Sequence, residues 1–130
     1  MTKFTLKKIE EIEGKQDIFK MEIDDTCLFD EFENDIENKG QYEQELYSIY
    51  SLMEDVANNK LLPKQKFRDI TINKKDSLKE YEFKSKHLRV YAIKTKEGKV
   101  IILGGYKNNQ KRDIKKLRNI KANYKQTLGL

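Results

Sequence analysis

His87 is the only histidine of the chain, and it stands between Lys84 and Arg89 in a segment rich in lysine. An imidazole titrates near neutral pH and is the natural side chain for moving protons. Arginine and lysine hold phosphate oxygens, and crowded lysines lower one another's pKa by repulsion. Such a set suits chemistry on a phosphate-bearing polyanion. The surrounding composition agrees. Residues 60–130 hold 21 Lys/Arg and 6 Asp/Glu, net +15, whereas residues 1–59 hold 6 and 16, net −10. The overall charge of +5 conceals this division. A basic segment with few acids is an electrostatic footprint for nucleic acid. The plain alternatives are a solvated turn for His87 and solvated strand edges or helix faces for the cations.

Other chemistries lack their residues. No metal-ligand spacing, Walker loop, GxSxG or paired-carboxylate motif occurs, so neither a metal nor a cofactor is expected. Asp24–Asp25 and Asp30–Glu31 read as helix caps and surface charge. Cys27 is the single cysteine, which excludes an intrachain disulfide and favours a reducing compartment. The longest apolar run, Val100 to Leu103, is far below the ~20 residues of a bilayer span. The basic N-terminus has no apolar stretch behind it, unlike a signal peptide. A cytoplasmic protein with no membrane partner is expected.

A small fold must position the basic residues. The length suits one domain over 1–130, and seven Tyr with six Phe give it material for a core. Residues 1–15 are charged and poorly patterned, which predicts an arm or a short helix. Phe19, Met21 and Ile23 alternate with Lys20, Glu22 and Asp24, as in a half-buried strand. An acidic helix follows with Leu28, Phe29, Phe32 and Ile36 on one stripe. A second runs from about Tyr42 to Asn59, in which Tyr42, Tyr47 and Tyr50 are expected to pack in the core. Pro63 opens a basic connector. Leu78–Lys84, Leu88–Thr95 and Val100–Lys107 then read as three strands joined by short turns, an antiparallel meander. Gly104–Gly105 suggests a bulge in the last of them. A final helix spans about Gln110 to Gln126. The expected class is α+β, with an antiparallel sheet, an N-terminal helical hairpin and a C-terminal helix.

From about Leu61 to Lys125 the chain resembles the RelE/HigB-like superfamily of bacterial toxins, in its phage-derived HigB-type branch. The likeness is carried by LKEYEFK (78–84), HLRVYAIKT (87–95), GKVIILGGYKNNQK (98–111) and RDIKKLRNIKANY (112–124). It implies a RelE-like fold and the toxin of a type II toxin–antitoxin system, with an antitoxin protein, the ribosome and mRNA as partners. Many members cut mRNA without a metal, using the RNA's own 2′-hydroxyl as nucleophile. That reaction needs a proton taken from the hydroxyl, charge opposite the phosphorane, and a proton given to the leaving 5′-oxygen.

By motif position, Lys84 matches the family's charged strand end, Arg89 its strand arginine and Lys107 its first lysine after the strand. Tyr91 follows the family's aromatic and otherwise reads as core. With His87 these form the catalytic candidates. Lys64, Lys66, Arg68, Lys111, Arg112 and Lys115 are the RNA-binding candidates, and Lys116 and Arg118 extend the same helix. The stretch Lys107-Asn108-Asn109-Gln110 departs from the family's denser lysine run. Two other functions fit the same features: a ParE-like toxin poisoning gyrase, and a non-catalytic phage or mobile-element nucleic-acid-binding protein.

Overall fold

The computed structural model describes residues 1–130. The strands are β1 (Phe4–Lys8), β2 (Ile18–Ile23), β3 (Phe67–Asp69), β4 (Glu80–Lys84), β5 (Leu88–Lys94) and β6 (Lys99–Tyr106). The helices are α1 (Leu28–Lys39), α2 (Glu43–Ala57) and α3 (Gln110–Thr127), the last entered through a 3₁₀ turn at Lys107–Asn109. All six strands form one sheet in the order β1-β2-β6-β5-β4-β3.

The class is α+β, but the arrangement expected from the RelE-like resemblance is not the one adopted. Two strands open the chain, so α1 and α2 are not an N-terminal hairpin. The sheet is mixed, because β2 pairs with β6 in parallel while every other pairing is antiparallel. The predicted arm is strand β1, hydrogen-bonded to β2 in the register Phe4↔Ile23 to Lys8↔Phe19. Phe4 and Leu6 face the apolar side, and Lys7 and Lys8 sit on the solvent edge, where charge discourages further strand pairing. The basic connector holds strand β3, which has only three residues and is too short to show a period.

Helix α1 also starts differently from expectation. Asp24 and Asp25 adopt left-handed conformations, with φ of 48° and 68°. They form a turn in which Asp24 Oδ1 accepts the Lys3 backbone N–H at 2.9 Å. The residue before α1 is Cys27, which makes no side-chain cap bond.

The sheet is covered on both faces. Leu88, Val90, Ala92, Phe83 and Ile101 pack with α1 and α2 on one side. Tyr91, Ile93, Val100, Ile102 and Leu103 pack with Leu117 and Tyr124 of α3 on the other. This explains why β5 is buried from Leu88 through Ile93: a strand sandwiched between two layers has no solvent face. Each such side chain contributes about 1.5–3 kcal/mol by burial.

The register shift between β5 and β6 lies at Tyr91/Ala92, not at the glycine pair. The glycines allow close approach instead. A Cβ on Gly104 would lie 2.2 Å from the Phe32 ring of α1, and one on Gly105 would lie 2.0 Å from Asp113 Oδ2 of α3. The strand is thus squeezed by a helix from each face.

Helix α3 is bound to the sheet by charge as well. The Lys121 ammonium, 6% exposed, lies 2.8 Å from Glu80 Oε2 and 2.7 Å from Asp76 Oδ2. Arg118 Nε reaches Glu80 Oε1 at 2.9 Å, and Lys125 reaches Asp76 Oδ1 at 3.2 Å. No helix is long and apolar enough to cross a membrane.

Candidate nucleic-acid interface

The β4–β5 turn organises the candidate site. Lys84 on β4, Arg89 on β5 and Gly105 on β6 form one rung of the sheet. Arg89 is only 6% exposed. Its Nη1 donates to the carbonyl oxygens of Ser85 at 2.6 Å and Leu88 at 2.8 Å, so the guanidinium braces the turn from within. Its Nε is buried with no hydrogen-bond partner. The neighbouring ion pairs bind Arg68, Arg112 and Arg118, and none involves Arg89. A desolvated cation without a counter-ion is costly, and a bound anion would relieve that cost.

His87 is held from the opposite side. Its backbone N–H donates to Glu45 Oε1 at 2.7 Å, and its Nδ1 lies 2.6 Å from Glu45 Oε2. The Ser85 hydroxyl also donates to Glu45 Oε1, at 2.5 Å. The ring stacks on Tyr42 with centroids 4.6 Å apart and planes 27° from parallel. Burial alone would raise the Glu45 carboxyl, but the hydrogen bonds from Ser85 and His87 outweigh it and hold the group below the usual carboxylate range. The His87 side chain remains 42% exposed. Lys107, the first residue after β6, closes the turn, its backbone N–H donating to the His87 carbonyl at 2.8 Å.

Lys84, His87, Arg89 and Lys107 therefore converge at one end of the sheet. Lys66 joins them, since its carbonyl accepts the Lys84 N–H at 2.8 Å. Lys64 lies in the exposed loop just before it. Tyr91 does not belong with them. It is fully buried beneath α3, its hydroxyl has no partner, and burial pushes it well above the ordinary tyrosine range. It is a core residue and touches nothing in solution.

The cations of α3 divide between two sides. Lys111, Lys115 and Arg118 line an open groove with Arg68 and Gln110. Arg112 and Lys116 instead line a cleft against Glu31 and Asp35 of α1. Within the groove two cations are already neutralised. Arg68 Nε binds the fully buried Glu82 at 2.8 Å, and Gln110 donates to the other oxygen of that carboxylate at 2.6 Å. Arg118 is paired with Glu80. Lys111 and Lys115 are the exposed cations that remain there.

Sequence reasoning missed Glu45 and Tyr42. Both lie in the acidic half, 42 and 45 positions before His87, and no spacing rule links residues so distant. The expectation that the three tyrosines of this region pack in the core also fails in part: Tyr47 is 63% exposed, while Tyr42 covers the His87 ring.

No group of three or more His, Cys, Asp or Glu side chains is arranged to hold a metal ion. Comparison with protein-family models, curated proteins and solved structures finds no match. The functional reading therefore depends on the residues themselves.

Proposed function

We propose that this protein is the toxin of a type II toxin–antitoxin pair, acting as a metal-independent endoribonuclease on ribosome-bound mRNA and neutralised by a cognate antitoxin. The observation that carries the reading is Arg89, a guanidinium 6% exposed and without an acidic partner. Lys84 lies across from it on the same rung, and Lys66 and Lys107 add charge at the same end. Fixed cations there would stabilise the negative charge that develops on a phosphorane. His87 beside them would exchange the proton. Lys111 and Lys115 would contact flanking phosphates without reading bases. The ordered run of motifs from 78 to 124 supports the RelE/HigB-like assignment.

The test is cleavage of mRNA on translating ribosomes, read by primer extension. Wild type should produce cuts, and Lys84→Gln and His87→Ala should each slow them at least tenfold. Arg89→Ala is the poorer variant because it also removes the brace on Ser85 and Leu88. Intact mRNA and normal growth under strong expression would refute the proposal. One observation favours a second reading, a non-catalytic nucleic-acid-binding protein: the pairing of Arg68 and Arg118 with buried acids thins the groove. RNA affinity that falls steeply with salt, without cleavage, would select it.

A further inference from the structure

We infer that Glu45 is the positioning residue for His87: it accepts the Nδ1 proton, fixes the neutral ring as the Nδ1–H tautomer and leaves Nε2 as the nitrogen that exchanges protons with substrate. Its part in cleavage rests on the ribonuclease reading above, whereas the tautomer follows from geometry alone.

The argument begins with acceptor capacity. Oε1 of Glu45 receives two donors, the Ser85 hydroxyl and the His87 backbone N–H. Oε2 receives the His87 ring at 2.6 Å. An ionised carboxylate only accepts, and this one is held ionised by its hydrogen bonds. A contact this short therefore requires the proton on Nδ1, whether the imidazole is neutral or charged. The stack on Tyr42 fixes the plane of the ring. Tyr42 is itself held by the start of α2, where its carbonyl accepts the Leu46 N–H at 3.1 Å. With the plane and one nitrogen fixed, the free lone pair lies on Nε2.

The groups around His87 agree with this assignment. From α2 come the Glu45 carboxylate and the Tyr42 ring. From the 3₁₀ turn after β6 comes only the Lys107 backbone N–H, which binds the His87 carbonyl and not the ring. From β5, Arg89 reaches the turn through the Ser85 and Leu88 carbonyls. Lys86 precedes the ring in the chain and is exposed. A neutral His87 could then take a proton at Nε2, becoming an imidazolium opposite Glu45, or an imidazolium could return one from the same atom to a leaving oxygen. A general acid or base typically contributes about 10²- to 10⁴-fold, and a partner that sets its tautomer controls whether that contribution is made. The acidic half of the chain thus supplies a working part of the basic site.

Because His87 is the only histidine, its ring signals in ¹⁵N-labelled protein are unambiguous. The ring nitrogen shifts of the neutral wild-type protein should report Nδ1–H. In Glu45→Gln, the amide oxygen must still serve Ser85 and the His87 backbone N–H. The amide NH₂ then faces Nδ1, which must accept, so the proton moves to Nε2. That variant should lower the rate of RNA cleavage about 10²- to 10⁴-fold with KM unchanged. Glu45→Gln combined with His87→Ala should be no slower than His87→Ala alone. An Nε2–H tautomer in wild type overturns the inference without any variant. A switched tautomer with cleavage within twofold of wild type overturns the role in catalysis. Absence of cleavage by wild type refutes the ribonuclease reading, and the tautomer still decides whether Glu45 positions the ring.

Discussion

Replacing Lys121 by Met should weaken the attachment of α3 to the sheet by an amount the geometry bounds. The ammonium is buried and serves two carboxylates, Glu80 at 2.8 Å and Asp76 at 2.7 Å. Methionine fills similar volume without the charge. Removing one partner of a buried ion pair costs about 3–5 kcal/mol. Here each acid retains a second partner: Arg118 for Glu80, and Lys125 with the Leu78 N–H for Asp76. The loss should therefore fall near or below the lower limit, about 2–3 kcal/mol. In a domain of this size that is a fall in Tm of roughly 8–12 °C. Urea unfolding at pH 7 measures the difference, provided the m-value is unchanged. The pH dependence supplies a second reading. Asp76 is partly desolvated, which opposes ionisation, but hydrogen bonds from Lys121, Leu78 and Lys125 outweigh that and lower its pKa from 3.8 to about 2. A carboxyl lowered on folding stabilises the protein above its unfolded pKa, and the contribution disappears as pH falls through the folded value. The full shift corresponds to about 2.4 kcal/mol, and partial solvent contact reduces it to about 1–2 kcal/mol. The gap between wild type and Lys121→Met should accordingly narrow between about pH 4 and pH 2. A difference below about 1 kcal/mol at pH 7, or one that does not change across that interval, would refute the reasoning.

Three further outcomes are expected. Gly105→Ala places a methyl 2.0 Å from Asp113 Oδ2, so the start of α3 must shift, and thermal unfolding should show a loss of about 1–3 kcal/mol. Tyr91→Phe removes a buried hydroxyl that has no partner; stability should be unchanged or rise by about 1 kcal/mol, and RNA cleavage should match wild type, whereas a catalytic Tyr91 would lose it. Lys111→Gln with Lys115→Gln removes two exposed cations from the α3 groove, so the slope of log affinity for single-stranded RNA against log salt should become shallower by about 1.4.

The β4–β6 meander was legible because β4 alternates, β5 and β6 are short runs rich in apolar residues, and the turns between them are short. The strands β1 and β3 were not. In β1 the period-two pattern of Phe4 and Leu6 is interrupted by lysines on an exposed edge, and β3 is too short for any period. The parallel pairing of β2 with β6 joins Ile18 to Lys99, and nothing local records a contact over so many residues. Within the site, Lys84, His87 and Arg89 were legible because they lie in one hairpin, where the turn itself brings them together. Glu45 was not, since it arrives from another helix. The net charge of the segment overstates the cationic character of the groove, because a buried glutamate lies beneath each of Arg68 and Arg118.

The division of charge along the sequence does not become a division of the molecule into separate halves. Four of the six acids in the basic half, Asp76, Glu80, Glu82 and Asp113, lie at or beneath α3, and each has a Lys or Arg partner, from α3 or, for Glu82, from β3. The pairs of Glu80 and Asp76 with Arg118, Lys121 and Lys125 fasten the helix. Four cations without an ion-pair partner, Lys66, Lys84, Arg89 and Lys107, lie at the β4–β5 end. That end is also where the acidic half reaches across, through Glu45. The carboxylate does not face the cations openly, because Ser85, the His87 N–H and the His87 ring occupy its oxygens. The site stands at the boundary between the two charges, which is where a group must lie if it is to be held by an acid on one side and present a proton to a phosphate on the other.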